Sequence, residues 1–282
     1  MTKLKNNYFK PRTFRGFLFA SRYLKLLTIL KVYNIITLYI YKSILRGADL
    51  FVIKIADLKI AIDNKYDFVY HVCKNYIVDD FDYSFKVSVS VEEMKAERIA
   101  SGTHNPDGYI ESVCIYRNIA LELPKYNAFV IHCAAIEVDG DAYCFAAKSG
   151  TGKTTHIKLW RRTFGEKVHV INGDKPIMRF YDDKILVCGT PWGGKENLSS
   201  NVMIPLKSVC FIYQNPDNTI KRITPHEALG KLLKQVFIPK STDDASKTID
   251  LIGKMLERIP MWSLGCNISQ EAALTSYNAM KN

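Results

Sequence analysis

Apolar and polar residues follow two periods along this chain, one typical of strands and one typical of helices. The first half begins with an alternating segment that predicts one or two strands, followed by helix, strand, helix and helix. Ser90 and Glu93 have the spacing of a capping box, which favours a helix start there, and Pro124 ends the last of these helices. The predicted ranges are 51–62, 66–77, 85–91, 90–100 and 110–123.

The middle of the chain carries the clearest turn signal. Asp139 and Gly140 separate two apolar runs, 129–138 and 143–147, and this pattern predicts an antiparallel hairpin. The second strand leads directly into the glycine-spaced segment "AAKSGTGKTT", after which 154–164 has the pattern of a helix. A strand, a loop and a helix therefore follow one another without interruption.

The remaining pattern continues to mix strands with helices. Asp182 and Asp183 separate two apolar runs and are interpreted as turn residues. The later predicted elements are a strand at 168–172, a hairpin over 176–192, a strand at 206–214, helices over 225–236 and 243–258, a strand at 261–269 and a short final helix. We therefore expect a mixed α/β fold in three regions: a basic apolar segment (1–48), an α+β subdomain (49–125) and a catalytic domain (126–282).

Composition places the chain among ordinary globular proteins, with 48% apolar and 24% charged residues. The seven cysteines form no C-x-x-C pair, so neither a zinc site nor a disulfide framework is expected. We expect free core thiols in a reducing compartment, no signal peptide and a cytoplasmic location.

The net charge of +11 comes almost entirely from the N-terminal segment. The first 46 residues hold ten Lys or Arg and no Asp or Glu, and the remainder is nearly balanced. Nucleic-acid binding is not expected, because no basic stripe interleaved with aromatic residues follows residue 46. The longest apolar run of the segment, 32–41, is too short to span a bilayer. Residues 1–46 are thus either an arm that packs on the body or contacts a partner, or a peripheral membrane anchor.

The segment from Ala147 to Thr154 matches the phosphate-loop (Walker A) pattern, with Ala in its first position. Glycines let backbone amides surround anionic oxygens, and the following helix presents its N-terminal end to them. The interpretation is a nucleotide site that binds ATP and Mg²⁺; the alternative is an ordinary strand–loop–helix turn. The residues predicted to bind the cofactor are Lys148, Ser149, Gly150, Thr151, Gly152, Lys153, Thr154 and Thr155.

Three stretches together resemble the catalytic domain of HPr kinase/phosphorylase and, more distantly, the ATP-dependent phosphoenolpyruvate carboxykinases. They are "IHCAAIEVDG" with His132, the loop "KSGTGKTT" and the strand end "INGDKP". The downstream "CGTPWGGKENLSSNVMIPL" is similar to a pattern in bacterial proteins related to HPr kinase. The resemblance covers 109–282 and is strongest over 132–205.

The resemblance implies a twisted mixed sheet around the loop and ATP-dependent phosphorylation of a serine-type hydroxyl on a peptide, protein or small molecule. It implies that the glycine loop and Lys153 hold the triphosphate, and that Thr154 and Asp174 hold Mg²⁺. It also places His132 near the transferred phosphate, so the implied catalytic residues are Lys153, Asp174 and His132. Lys195 is implied as a substrate contact. Taken without the resemblance, His132 fits a core histidine, Asp174 a turn residue and Lys195 a solvated lysine.

One position departs from the family pattern: Gly173 stands where the related kinases carry a second acid, which has been assigned as the base. His132 and Glu196 are the candidates to replace it. A nucleotide-binding regulator with little turnover is therefore the alternative function, and under that alternative Gly173→Asp is expected to create or greatly raise activity. Carboxykinase chemistry on oxaloacetate is a third, disfavoured because no arginine set for a dicarboxylate is evident. HPr itself is not the expected acceptor, since its glycine-rich recognition signature is missing, and a homo-oligomer remains open.

Overall fold

The computed structural model describes residues 49–80, 82–101 and 104–281. The expectations for residues 1–46 lie outside this part of the chain. Leu50–Asn282 form one compact unit, within which the described strands build two sheets. The predicted boundary at 125/126 falls between the strands of the first sheet and those of the second, and the division into subdomains stays a prediction.

The first sheet has four strands in the order β3-β1-β2-β4. A two-residue turn joins β1 to β2, and both of its residues, Ala56 and Asp57, have positive φ, as in tight hairpins. The capping box at Ser90 and Glu93 is confirmed by reciprocal hydrogen bonds of 3.1 and 2.7 Å. The elements are β1 (Asp49–Ile55), β2 (Leu58–Asn64), α1 (Asp67–Cys73), β3 (Ile77–Val78), β4 (Phe85–Ser88), α2 (Val91–Ser101) and α3 (Asp107–Glu122).

The second sheet has nine strands along the path β5-β9-β10-β11-β7-β6-β8, with β13 beside β11 and β12 beside β13. Its strands are β5 (Ala128–Val130), β6 (Cys133–Val138), β7 (Asp141–Ala146), β8 (His169–Asn172), β9 (Ile177–Phe180), β10 (Ile185–Cys188), β11 (Met203–Gln214), β12 (Thr219–Ile223) and β13 (Met261–Cys266). β7, β11 and β13 run parallel, and the other pairs are antiparallel. The predicted mixed α/β fold is confirmed. Strand β12 was not predicted.

Helices cover both faces of the second sheet. They are α4 (Lys153–Phe164), α5 (Pro225–Leu232), α6 (Thr242–Arg258) and α7 (Gln270–Met280). On one face, α4 and α7 pack around the fully buried Trp160, and replacing such a side chain by Ala typically costs about 3–5 kcal/mol. On the other face, α5 and α6 bury their apolar sides against the sheet. All seven cysteines lie in the described residues and are free, six of them buried, as expected.

The strand predicted over 129–138 is wrong as one continuous strand. It divides into β5, which pairs with β9, and β6, which forms the predicted hairpin with β7 around Asp139 and Gly140. Between the two, the His132 amide donates to the Gln235 carbonyl at 2.7 Å, and Ile131 bridges to Val236. The pattern concealed this break, because both halves are apolar and buried.

No helix in the described part of the chain is long and apolar enough to cross a membrane.

Candidate active site at one edge of the second sheet

Strand directions bring the predicted site residues to one edge of the second sheet. β8 and β7 are both antiparallel to β6, so the ends of β7 and β8 and the start of β6 lie at the same edge. The end of β7 leads to Lys153, the end of β8 leads to Asp174, and His132 directly precedes β6. The fold therefore assembles the three predicted catalytic residues, although they are 21 and 42 positions apart from His132 along the sequence.

The glycine loop, residues 147–152, joins β7 to α4. Gly150 and Gly152 have φ of 82° and 119°, which glycine adopts without strain. Intrahelical bonding starts with the amide of His156 donating to the carbonyl of Gly152 at 2.9 Å. The amides of Lys153, Thr154 and Thr155 precede that bond and so project from the helix end. This is the geometry in which backbone amides bind an anion.

The other predicted cofactor residues form the open side of this loop. Lys148, Ser149, Gly150 and Thr155 are exposed, whereas Thr151, Gly152 and Thr154 are half-buried. A ligand can therefore approach the loop from solvent.

Lys153 is buried although it carries a charge, with 7% of its surface exposed. Its Nζ lies 3.1 Å from the Ala147 carbonyl oxygen and 2.9 Å from His132 Nε2. Burial lowers the pKa of Lys153, and the nearby charge of Asp174 partly opposes this effect. Burying a charge is costly without close compensation. The Lys153 Nζ atom is thus held at the sheet edge by the Ala147 carbonyl oxygen and His132, with Asp174 beyond His132.

His132 connects Lys153 to Asp174. Its Nε2 lies 3.2 Å from Asp174 Oδ1. On the other side of the ring lies the Gln235 side-chain amide, which forms hydrogen bonds when its nitrogen faces the ring. That nitrogen then lies 3.2 Å from His132 Nδ1, 3.3 Å from the His132 carbonyl oxygen and 3.1 Å from the Ala147 carbonyl oxygen. In this orientation the Gln235 side-chain nitrogen donates to Nδ1, while Nε2 of the same ring faces both Lys153 Nζ and Asp174 Oδ1. Gln235 thereby fixes the orientation of the His132 ring.

Asp174 belongs to the acidic loop, residues 172–176, which is fixed by a fully buried Asn172. The Asn172 Oδ1 atom accepts from the amides of Asp174 at 2.9 Å and Lys175 at 2.7 Å. Its Nδ2 donates to the carbonyl and hydroxyl oxygens of Thr190, at 3.1 and 3.0 Å. Every polar atom of this side chain is used to shape the loop that carries the acid.

Asp174 is ionised at physiological pH. Burial raises the pKa of its carboxyl group, but the hydrogen bond from His132 and the charge of Lys175, which contacts Oδ2, outweigh burial and bring the pKa to about 2. A permanently charged carboxylate suits a hard cation such as Mg²⁺. No group of three or more His, Cys, Asp and Glu side chains in the described ranges could form a metal cage. The residues therefore fit an ion shared with phosphates and water, to which Thr154 would add a hydroxyl.

Gly173 is packed beneath the turn 193–198. Its amide donates to the Leu198 carbonyl at 2.8 Å, and an added Cβ would lie only 2.8 Å from the Gly193 carbonyl oxygen. A side chain at this position would have to displace the turn, so glycine is favoured here for steric reasons. The effect of Gly173→Asp on activity stays a prediction.

The same turn places Lys195 and Glu196 at the rim of the site. Gly194 has φ of 79° and sits against the Asp174 side chain, because an added Cβ there would lie 2.9 Å from Asp174 Cβ. Lys195 is exposed next to it. Glu196 forms an exposed ion pair with Lys158 at 2.7 Å, which occupies it on the surface. Of the two candidate replacements for the missing acid, only His132 contacts both Lys153 and Asp174.

Two aromatic side chains near the site have structural roles. Trp192 stacks on Tyr116 with ring centroids 4.5 Å apart and donates to Ser112 Oγ at 2.9 Å, so its role is packing. The sequence pattern predicts that His156, in the first turn of the helix, faces outward, and this prediction is wrong: His156 is 1% exposed, and its Nε2 accepts from Trp160 Nε1 at 3.1 Å. Burial lowers the pKa of His156 to about 4. The spacing of His156 and Trp160, one helical turn apart, is the signal for a shared buried face.

A groove of about 490 Å³ lies beside the glycine loop. The ends of the parallel strands β11 and β13 form its far wall, and parallel strands of open α/β sheets commonly bind ligands at their carboxyl ends. Gln214 Nε2 donates to the Thr151 carbonyl at 3.4 Å, which ties the end of β11 to the loop. The residues that line the groove include Gly150, Gly152, Tyr213, Asn215, Asn267 and Ile268.

The comparisons with known proteins leave this site without a family. No protein-family model matches the chain, and no curated protein matches it significantly. Among solved structures, the HPr(Ser) kinase/phosphatase from Coxiella burnetii is similar over 54% of this chain and 88% of its own, with 8% identity and a TM-score of 0.32. A likeness with this TM-score supports neither a fold nor a function here. The resemblance carried by the motifs therefore stays a prediction.

Sequence reasoning missed three residues of this site. Gln235 and Asn172 act through contacts with residues far away in the sequence, and Lys175 contacts the predicted metal ligand. The adjacency of Lys175 to Asp174 was visible in "INGDKP", but nothing in that pattern indicated which way its side chain turns.

Proposed function

We propose that this protein is an ATP-dependent phosphotransferase of the HPr-kinase-like class that uses Mg²⁺ and acts on a serine-type hydroxyl of a peptide, protein or small molecule. The observation that carries the proposal is the buried Lys153 in the first turn after the glycine loop. Its Nζ atom directly contacts the Ala147 carbonyl oxygen and His132 Nε2. A phosphate oxygen at the loop amides would supply the missing close anion, and Lys153 would neutralise its charge.

The nucleoside has a natural place in the groove beside the loop. With phosphates at the amides after Gly152, a base and sugar extending along the strand ends would lie between the loop and Tyr213. Asn215 and Asn267 offer polar groups there, and Ile268 is 81% exposed, so its apolar surface is available to a ring. A mixed apolar and polar lining of this kind is typical of small-molecule sites.

Asp174 and Thr154 would hold Mg²⁺, which would supply charge neutralisation on the phosphate oxygens. His132, whose Nε2 lies 3.2 Å from Asp174 Oδ1, would keep Asp174 oriented. Phosphoryl transfer has a loose transition state, so positioning and charge neutralisation matter more than a strong base. This permits a kinase in which Gly173 replaces an acid, at the cost of the 10²–10⁴-fold that general-base help typically contributes.

The proposal is tested by transfer of label from γ-³²P-ATP in the presence of Mg²⁺. The full chain and its Lys153→Ala variant are incubated with a fractionated extract of the source cells. A labelled species formed only with the wild type supports a kinase and identifies its acceptor class. Equal labelling by the variant would contradict the assignment of Lys153 and the proposal with it.

A second candidate is a nucleotide-binding regulator with little turnover. Gly173 favours it, because the second acid is absent there and an added Cβ would lie only 2.8 Å from the Gly193 carbonyl oxygen. Calorimetry with Mg·ADP and Mg·ATP, combined with ADP release over hours, separates the two functions. Tight binding without turnover or acceptor labelling supports the regulator, whereas turnover at ordinary kinase rates of about 1–100 s⁻¹ excludes it.

A further inference from the structure

We propose that Lys175 is a second phosphate-binding cation, which covers Asp174 in the nucleotide-free protein and moves to the terminal phosphate when a divalent cation takes Asp174. The inference rests on the proposed function. It adds a residue whose side chain sequence reasoning did not place in the site.

The backbone of Lys175 is held more firmly than its side chain. Its amide donates to Asn172 Oδ1 at 2.7 Å, and its carbonyl oxygen accepts from Tyr116 at 2.8 Å and from Thr190 Oγ1 at 3.0 Å. Tyr116 and Thr190 are both buried, and Pro176 follows with a restricted φ. The start of the side chain is thus fixed at the site, while 43% of the side chain is exposed. Because the backbone is fixed and the end of the side chain is exposed, the ammonium group can change partners.

Lys175 now pairs with Asp174, the carboxylate that a divalent cation would need as a ligand. Lys175 Nζ contacts Oδ2 of Asp174, and Oδ1 faces His132 Nε2 at 3.2 Å, so both carboxylate oxygens are engaged. An ion pair with one half-exposed member contributes little stability. A divalent cation arriving with nucleotide can therefore displace the ammonium at small cost.

The charges then favour one destination for Lys175. Lys153 and Lys175 lie on either side of a single carboxylate: Lys175 contacts Asp174 Oδ2 directly, and Lys153 reaches Asp174 Oδ1 through His132. When a metal ion occupies Asp174, the Lys175 ammonium loses its anionic partner. The oxygens of the terminal phosphate, bound at the glycine loop, would then be its nearest anionic partners. A four-carbon stem with three rotatable donors suits such a change of partner.

In the transfer step, the acceptor oxygen forms a bond to the terminal phosphorus as the bond to the bridging oxygen breaks. The electron pair leaves with ADP, and the hydroxyl proton passes to solvent. Lys175 forms no covalent bond; it neutralises charge on the transferred group. Such a cation gains importance where a second acid is missing, as at Gly173.

The test compares the binding of Mg·ADP with that of Mg·AMP-PNP by calorimetry, which requires no turnover. In the full chain, Lys175→Ala should reduce the preference for the nucleotide with the third phosphate by about tenfold, the value expected for one charge-assisted hydrogen bond. It should also lower the Mg²⁺ concentration needed for half-saturation with ADP, because Asp174 is no longer covered. Lys175→Arg should retain most of the preference.

Lys125→Ala is the matched control, because Lys125 is also a half-exposed lysine paired with a carboxylate, Glu122, after α3. It should leave both quantities unchanged. Equal weakening of both nucleotides by Lys175→Ala would show a purely structural role and overturn the inference, as would unchanged binding of both. If the wild type binds neither nucleotide, the proposed function fails, and the inference fails with it. Circular dichroism melting of each variant separates misfolding from these outcomes.

Discussion

The glycine loop (147–152) and the acidic loop (172–176) lie at the same edge of one sheet but are built by different means. The glycine loop takes its shape from its own residues, chiefly from the positive φ of Gly150 and Gly152. The acidic loop takes its shape from distant side chains, since Asn172 is bonded to Thr190 and the Lys175 carbonyl to Tyr116. One half of the site is thus determined locally, whereas the other depends on tertiary packing.

This difference suggests a division of roles. A locally determined loop can hold phosphates wherever its strand and helix are formed. The acidic loop reaches its native conformation only when β8, β10 and α3 have packed together. Its geometry therefore depends on the fold of the whole domain. We therefore expect mutations to separate phosphate binding from metal-dependent chemistry.

The largest effect is expected from the glycine-loop side. Lys153→Ala removes the buried ammonium at the proposed phosphate position and should reduce phosphate transfer by at least about 10³-fold. Nucleotide affinity, measured by calorimetry, should fall with it. Lys148→Ala, which changes an exposed lysine of the same loop, is the control and should have a much smaller effect. Comparable losses in the two variants would contradict a special role for Lys153.

A large effect that distinguishes the two loops is expected from Asn172→Ala. The change leaves the amides of Asp174 and Lys175 without their acceptor and should lower the free energy of unfolding by about 2–4 kcal/mol. Metal-dependent transfer should fall by about 10–100-fold, as a 1 Å displacement of catalytic groups can cause. Binding of metal-free ADP should change little. If metal-free ADP binding falls equally, the two loops are not independent.

The charge of Asp174 predicts a pH dependence of stability. Its folded-state pKa of about 2 lies below the ordinary value of 3.8. Its stabilising contribution is therefore complete above about pH 4 and is lost as the pH falls through 2. From this difference we expect about 2 kcal/mol at neutral pH. Urea unfolding of the wild type and Asp174→Asn between pH 2 and 7 should give curves that converge at the acid end; a gap independent of pH would exclude this origin.

The smallest effect is expected at the position that departs from the family pattern. Gly173→Ala places a Cβ 2.8 Å from the Gly193 carbonyl oxygen and should lower the free energy of unfolding by about 1–3 kcal/mol. Gly173→Asp should destabilise further and should not increase transfer. Thermal melting and the label-transfer assay check both variants. An active and stable Gly173→Asp protein would show that the turn 193–198 moves readily.

The local half of the site was the half that the sequence could predict. Glycine spacing, the Asp139-Gly140 turn and the Ser90 capping box are short-range signals, and the structure has the loop–helix junction, the hairpin and the helix start that they predict. The break before His132 was missed because 129–138 is apolar throughout, and only pairing with the distant Gln235 segment reveals it. The orientation of His156 was wrong because helical phase depends on which face meets the sheet. The roles of individual site residues stay predictions until nucleotide binding is measured.

The packing of Gly173 has a consequence for Asp174. Because Gly173 packs against the Gly193 carbonyl and the Leu198 side chain, the acidic loop and the turn 193–198 are mechanically coupled: a side chain at 173 must push the turn away. The same turn carries Gly194, which lies against Asp174. A change of volume at 173 should therefore be felt at the Asp174 carboxylate through the turn as well as through the backbone of its own loop.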